Sequence, residues 1–277
     1  MPLDIADHAL FLFVPADRPD RVMKAGVSGA DAIIIDLEDA IATDAKPMAR
    51  KSLVEGLAGG SPALPVFVRV NGVGTPWHAE DLATASALDI DGVLLPKAET
   101  AADLVAVRAK LPLGMAVLAI VESAKGFSNC DAIAEASDRI VFGSLDFALD
   151  IGAQHGREAL LMARSRIVLS ARLANKPPPI DGVTMAIKDE TIVEADARYG
   201  ASLGFGGKLL IHPAQVFPAR CGLAPGDDEV AWALKITAAA GDGAARAVDG
   251  LMVDAPVLAR ARQIVRAHQR FANGTPT

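Results

Sequence analysis

The sequence predicts an α/β protein, a (β/α)8 TIM barrel with a C-terminal helical extension. Three observations favour this fold. Hydrophobic residues make up 51% of the chain and aromatic residues only 4%, which is typical of helices packed on parallel strands. A chain of 277 residues has the size of a single barrel. Eight short apolar runs alternate with helical stretches, as in a (β/α)8 barrel. An open doubly wound sheet shows the same local alternation and is the alternative.

The predicted strands are mostly continuous apolar runs, as expected for strands covered on both faces. They lie at residues 10–14, 32–36, 66–70, 92–95, 116–121, 140–143, 180–184 and 208–211. The stretches between them have helical periodicity at 19–28, 45–57, 78–88, 101–110, 157–174 and 189–203. Eight strand-then-helix units in a row favour the closed barrel.

The pattern changes after Pro213. Two more helices are predicted at 227–240 and 255–271, joined by a link rich in Gly and Ala that suits a turn or a moving joint. We expect residues 1–220 to form the barrel and catalytic domain. Residues 221–277 would form the extension, as a lid or as an arm that reaches a neighbouring subunit.

Charge and composition exclude several classes of protein. The formal net charge is −7, which argues against binding nucleic acid. The two cysteines, Cys130 and Cys221, fit no CxxC pattern, so a disulfide framework or zinc knuckle is not expected. The N-terminal apolar run is short and breaks at Pro15, and no segment approaches the roughly 20 apolar residues needed to span a bilayer. We expect a cytoplasmic protein that does not associate with membranes.

Polar residues follow most of the predicted strands. They are Asp36 with Glu38 and Asp39, Arg69, Lys97, Glu122, Asp146 and His212. A single acid after a strand is more often a helix cap than a ligand. In a barrel, however, these strand ends meet at one mouth. A crowd of acids with an Arg and a Lys is costly unless a ligand or metal compensates the charges.

Glu122 and Asp146 are the candidate metal ligands. Carboxylates without nearby His or Cys suit a hard cation, Mg²⁺ or Mn²⁺, which would polarise a carbonyl and stabilise an enolate. Arg69 could grip a carboxylate with two parallel hydrogen bonds, or could simply form a salt bridge with Glu38 or Asp39. Asp36 and Lys97 are further candidates for binding substrate, with a surface lysine as the alternative for Lys97.

Other polar residues have weaker functional interpretations. His212 is more often a packed or capping histidine than a base. The segment Lys208 to Pro213 could instead present a cation and a loop to a phosphate. Ser144 has no evident partner base in the sequence, which weakens a serine hydrolase interpretation.

Eight segments, in order along nearly the whole chain, carry a family resemblance. They are LFVPADRPDR, IIIDLEDA, VRVNGVGTPWHAEDL, LLPKAE, AIVESAKG, FGSLDFALDIG, GKLLIHPAQV and DGLMVDAPV. Together they resemble the citrate lyase β-subunit-like branch of the HpcH/HpaI aldolase family. Ala16 departs from the glycine that many relatives have there.

The resemblance implies a trimeric or hexameric TIM barrel that cleaves or forms 3-hydroxyacyl thioesters with Mg²⁺. It matches Glu122 and Asp146 to the metal ligands and Arg69 to the arginine that contacts substrate. Glu38 and Asp39 match acids beside the metal. Lys208, His212 and Pro213 match the segment where coenzyme A enters, and Asp254 matches an acid/base from a neighbouring subunit.

The resulting hypothesis is a Mg²⁺-dependent carbon–carbon lyase, similar to citryl-CoA lyase. It would cleave a 3-hydroxyacyl thioester, carried by coenzyme A or acyl carrier protein, to a 2-keto acid and an acetyl thioester. One alternative is a malyl-CoA or citramalyl-CoA lyase or thioesterase. An alternative of another class is a non-catalytic acyl-CoA-binding subunit of a larger assembly.

Overall fold

Eight parallel strands close into a barrel in the computed structural model, which describes residues 4–239, 246–248 and 251–272. Each strand pairs with the next, and β8 pairs with β1. The strands are β1 (Leu10–Pro15), β2 (Ala32–Asp36), β3 (Val66–Arg69), β4 (Gly92–Leu95), β5 (Ala116–Val121), β6 (Arg139–Phe142), β7 (Ile180–Asp181) and β8 (Gly207–Leu210). The predicted TIM barrel with C-terminal helices is confirmed.

Helices follow the strands on the outside of the barrel. They are α1 (Pro19–Gly26), α2 (Lys46–Ala58), α3 (His78–Ser86), α4 (Ala101–Arg108), α5 (Ala124–Ser128), α6 (Cys130–Ala136), α7 (Ser144–Asp150), α8 (Leu161–Leu173), α9 (Glu190–Leu203) and α10 (Val216–Leu223). The apolar pattern of the sequence does not predict α5, α6, α7 or α10. All four have eight residues or fewer, so helical periodicity has little length to show.

Two hydrophobic layers hold the barrel together. Alternate strand residues fill its interior: Phe11, Ile34, Phe67, Leu94, Leu118, Ile120, Val141, Ile180 and Leu209. Phe11 and Phe67 meet edge to face with ring centroids 5.8 Å apart. A larger cluster lies between the strands and the surrounding helices. Because both faces of each strand are buried, the apolar runs do not alternate with polar residues.

The extension consists of α11 (Asp227–Ala239) and α12 (Ala255–Ala272). Apolar side chains of both helices form a small cluster of their own, which includes Ala233, Ile236 and Leu258. Between the helices, β9 (Arg246–Val248) and β10 (Leu251–Val253) pair antiparallel where a turn or joint was predicted. Residues 240–245 and 249–250 of that link lie outside the described residues.

Helix α10 crosses the predicted domain boundary at residue 220, and Phe271 near the end of α12 joins the main core cluster. The division into residues 1–220 and 221–277 stays a prediction. Within the described part of the chain, none of the helices combines the length and the apolar character needed to cross a membrane.

Candidate active site

A cavity of about 440 Å³ opens at the C-terminal ends of the strands. Parallel strands deliver their last residues to this one face of a barrel. The polar side chains that line the cavity are Asp36, Asp39, Arg69, Glu122, Ser144 and Asp146, beside apolar residues that include Phe13 and Ile120. The strand-end residues that the sequence singled out therefore converge, as predicted, for β2, β3, β5 and β6.

Arg69 ends β3 and is held by three acids. Its Nε and Nη2 donate to the two carboxylate oxygens of Asp36 at 2.7 and 2.6 Å. Its Nη1 lies 3.1 Å from Glu38 Oε2 and 3.5 Å from Asp39 Oδ2. The guanidinium also stacks over the Phe13 ring at 4.8 Å. Burial disfavours the charge, but these acids outweigh it and raise the pKa of Arg69, so the guanidinium is charged and fixed in place.

The loop after β2 is tied down by buried polar contacts. Asp36 accepts hydrogen bonds from the Glu38 backbone N–H at 2.9 Å. Lys46 donates from Nζ to the carbonyls of Leu37 and Glu38 at 3.0 and 2.9 Å, and Asn71 donates from Nδ2 to the Leu37 carbonyl at 2.9 Å. Since the loop backbone is fixed, its acids are preorganised toward the mouth.

Lys97 follows β4 in a left-handed conformation, with φ 50°. Its ammonium pairs with Glu38, which is buried, and lies 3.9 Å from Asp39 Oδ1. Burial raises the pKa of Glu38, against the opposing effects of Arg69 and Lys97. Lys97 is thus paired at the rim of the site rather than free at the surface, although it does not line the cavity.

Glu122 follows β5 and is 4% exposed. Its Oε1 accepts a hydrogen bond from the Lys97 backbone N–H at 2.7 Å. Burial, with added repulsion from Glu38 and Asp146, raises the pKa of Glu122 to about 8. The backbone N–H and the charge of Lys97 offset this only in part, so the carboxyl group has too little positive charge near it.

Gly143 gives the Glu122 side chain its room. A Cβ atom at position 143 would overlap Cβ and Oε2 of Glu122 and would lie 2.9 Å from Ile120 Cγ2. Asp146, in the first turn of α7, lines the same cavity. Glu122 and Asp146 thus face a space with excess negative charge. That arrangement fits a hard cation, for which oxygen ligands are preferred.

Ser144 has a partner that the sequence alone does not reveal. Its Oγ lies 3.0 Å from Nε2 of His155, in the loop between α7 and α8. Burial, then the nearby charge of Arg164, lowers the pKa of His155 and favours the neutral imidazole. The two residues are eleven positions apart, with the rest of α7 and the start of the following loop between them, so no spacing rule could have found the pair. Only its place after β6 is a signal.

The structure does not bring the remaining predicted residues into this cavity. Lys208 lies on β8, and its buried side chain faces α9. Its Nζ donates to the Gly182 carbonyl at 2.6 Å and pairs with Asp196 of α9 at 3.0 Å. His212 is exposed and accepts a hydrogen bond from the Ala214 N–H at 3.1 Å, as a cap. Pro213, also exposed, lines a different surface cavity.

Asp254 lies at the start of α12, where its Oδ1 accepts a hydrogen bond from the Val257 N–H at 3.1 Å. It is exposed and does not line the mouth of its own barrel. Asp254 could therefore act only at the barrel mouth of a second copy of the chain.

Comparison with known proteins agrees with this geometry. The sequence profile of the family described as HpcH/HpaI aldolase/citrate lyase matches residues 9–213. A citrate lyase subunit beta-like protein of Deinococcus radiodurans is 36% identical, over 92% of this chain and 95% of that protein. A (3S)-malyl-CoA thioesterase of Cereibacter sphaeroides is 36% identical, over 94% of each chain.

Among solved structures, CitE of Mycobacterium tuberculosis in complex with magnesium, acetoacetate and coenzyme A superposes with a TM-score of 0.83. It is 32% identical, and the match covers 96% of this chain and 100% of that one. The family profile, the full-length relatives and the barrel mouth agree, and the chain belongs to the HpcH/HpaI aldolase/citrate lyase family.

Proposed function

We propose that the protein is a Mg²⁺-dependent carbon–carbon lyase that cleaves a 3-hydroxyacyl thioester, similar to citryl-CoA, into a 2-keto acid and an acetyl thioester. The observation that carries this proposal is the barrel mouth itself. A fixed guanidinium faces two acids, Glu122 and Asp146, across a cavity large enough for a small polar acid. The magnesium and coenzyme A bound by CitE of M. tuberculosis support the same assignment.

Glu122 and Asp146 would hold the cation. Within the described residues no group of three or more His, Cys, Asp or Glu side chains is arranged to hold a metal ion. Two protein carboxylates are nevertheless enough for Mg²⁺, which commonly keeps several water ligands and takes others from its substrate. When bound, the cation would supply Lewis-acid stabilisation of negative charge that develops on substrate oxygens. Mn²⁺ has the same ligand preferences and would substitute.

The chain's own groups have distinct tasks in this proposal. Arg69 binds the substrate carboxylate through its Nη1 edge, because Asp36 already occupies Nε and Nη2. Asp39, which lines the cavity and is more exposed than Glu38, accepts the proton of the substrate hydroxyl. Glu38 holds Lys97 and Arg69 in position.

Loss of the hydroxyl proton drives cleavage of the adjacent C–C bond. The hydroxyl carbon becomes the ketone of the 2-keto acid, and the bonding electron pair moves into the thioester to give its enolate. A general acid then protonates the enolate carbon. Asp254 of a second copy in a homotrimer or hexamer is the proposed donor. His212 and Pro213 remain proposed contacts for the coenzyme A moiety, and buried Lys208, paired with Asp196, would support the end of β8 that precedes them.

The test is product identification with a panel of citryl-, malyl- and citramalyl-CoA. A lyase yields a keto acid and acetyl-CoA in equal amounts, and only with Mg²⁺. The isosteric variant Glu122→Gln should lose this activity, whereas Glu135→Ala, which removes an exposed acid of α6, should keep it. Equal turnover by wild type and Glu122→Gln would refute the proposal.

A second candidate is thioester hydrolysis, favoured by the identity to (3S)-malyl-CoA thioesterase over nearly the whole chain. The same panel separates the two functions, because a thioesterase releases free coenzyme A and leaves the hydroxy acid intact. Loading the acyl group on acyl carrier protein tests which carrier is used. Light scattering tests the proposed trimer or hexamer.

A further inference from the structure

The floor of the barrel, at the N-terminal ends of the strands, contains a buried guanidinium without an acidic partner. Arg139 begins β6 and points into the interior, as Val141 does two residues later. It is 0% exposed. Its Nε donates to the Pro178 carbonyl at 2.7 Å, and its Nη1 donates to the carbonyls of Ile5 and His8 at 2.8 and 2.6 Å. Only neutral acceptors therefore satisfy this charge.

A second guanidinium approaches from the extension. Arg270, in the last turn of α12, donates from Nε to the Asp7 carbonyl at 3.2 Å. The Nη2 atoms of Arg139 and Arg270 are both buried and lack a hydrogen-bond partner among the described residues. Burial, followed by the charge of Arg270, lowers the pKa of Arg139 to about 9. Two unsatisfied cationic donors in one region are costly without a ligand.

Asp31 and Asp7 are the acids whose charges act on these guanidiniums, and Asp31 is already engaged. Asp31 accepts hydrogen bonds from the backbone N–H groups of Ala9 and Leu10 at 2.8 and 2.9 Å. It also pairs with Arg220 at 2.7 Å. The floor is left with more positive charge than its acids compensate.

A cavity of about 400 Å³ opens beside these groups. Its lining includes Arg270, Pro178 and Gly206. A Cβ atom on Gly206 would lie 3.4 Å from Arg139 Nη2, so this guanidinium lies behind the glycine and does not itself line the cavity. The cavity also has one acid, Glu229, whose Oε2 accepts a hydrogen bond from the Gly226 N–H at 3.3 Å.

We propose that this floor cavity binds a small oxyanion, either phosphate or a short carboxylate, at the guanidinium of Arg270, with the buried charge of Arg139 behind Gly206 adding to the attraction. Paired N–H groups of guanidinium match the oxygen spacing of both ligands. The site is at the opposite end of the strands from the mouth and does not depend on the reaction proposed there. A bound oxyanion would tie the end of α12 to the barrel floor.

The test is a titration of the full chain with inorganic phosphate at constant ionic strength, read as melting temperature and as heat of binding. Wild type should show a saturable rise in melting temperature. Arg270→Gln should weaken phosphate binding at least tenfold. Arg266→Gln removes the same charge from an exposed position one turn earlier on α12 and should bind as wild type does. If Arg270→Gln does not fold, Arg270→Lys keeps the charge without the forked donors and should still weaken binding.

Two further measurements show where the anion binds and which anion is preferred. Glu122→Gln must keep the phosphate response, because the mouth takes no part in it. The titration is repeated with acetate in place of phosphate. If acetate gives a saturable rise in melting temperature and phosphate does not, the site binds carboxylates. A phosphate response equal in wild type and both Arg270 variants, a response lost in Glu122→Gln, or no saturable response to either anion would overturn the proposal.

Discussion

Substituting Gly143 by Ala tests how the mouth holds Glu122. The backbone of Gly143 has φ −81° and ψ 70°, the conformation of an inverse γ-turn, which alanine also adopts, so the effect is mainly steric. The added Cβ would overlap the Glu122 side chain and lie 2.9 Å from Ile120 Cγ2. Inserting one methyl group into a packed region costs about 1–3 kcal/mol. At about 2–4 °C per kcal/mol for a chain of roughly this size, the melting temperature should fall by roughly 2–12 °C.

The same strain should appear in metal binding, because relief requires the Glu122 carboxylate to move. If the steric cost of about 1–3 kcal/mol falls entirely on the Mg²⁺-bound state, the affinity for Mg²⁺ falls by roughly 5- to 150-fold. Calorimetric titration with Mg²⁺ measures this, and thermal melts measure stability. Gly156→Ala is the matched control, since a Cβ atom there has nothing within 4 Å. A folded Gly143→Ala protein that binds Mg²⁺ as tightly as wild type would refute the reasoning.

Three other predictions concern charge. Asp36→Ala leaves the buried guanidinium of Arg69 without the carboxylate that accepts two of its hydrogen bonds. The free energy of unfolding, measured in urea, should fall by about 3 kcal/mol, which is at the low end for a broken buried ion pair because Glu38 and Asp39 remain near Arg69. Burial acts to raise the pKa of Asp196, but Lys208, Thr184 and Arg164 together outweigh it and lower that pKa below its ordinary value. Asp196→Asn should therefore reduce stability at pH 7. Its difference from wild type in urea melts should begin to shrink as pH falls below about 4, the ordinary pKa of an aspartate, and should vanish only below the lowered pKa of the folded state, where the carboxylate is protonated. Mg²⁺ at 100 times its Kd should stabilise wild type by about 2.7 kcal/mol in thermal melts, reversibly on chelation, and should leave Glu122→Gln unchanged.

The sequence was sufficient for the barrel and for most of the mouth because both depend on local signals. Seven of the eight predicted strands agree within one residue at each end; β7 has two residues where five were predicted. A strand covered on both faces is recognisable as an apolar run, and its end is recognisable as the first polar residue. Topology then brings Asp36, Arg69, Glu122 and Asp146 together without any further information.

Contacts between distant segments could not be predicted in this way. Lys208 begins an apolar run and was expected near coenzyme A, but alternation along β8 turns it toward α9, where Asp196 compensates its charge. The partner is twelve residues earlier and on another element, so only the fold reveals it. The Ser144 and His155 pair depends in the same way on the path of an irregular loop.

The salt-bridge and substrate-binding interpretations of Arg69 are compatible. Asp36 takes two of its donor groups and fixes the guanidinium plane, which Phe13 supports from one face. Only the Nη1 edge is left toward the cavity, and there Glu38 and Asp39 lie at 3.1 and 3.5 Å. An incoming carboxylate must compete with these acids for that edge. We therefore expect the substrate carboxylate to bind Arg69 only when another positive charge attracts Glu38 and Asp39 away from the Nη1 edge. A cation held by Glu122 and Asp146 would supply that charge.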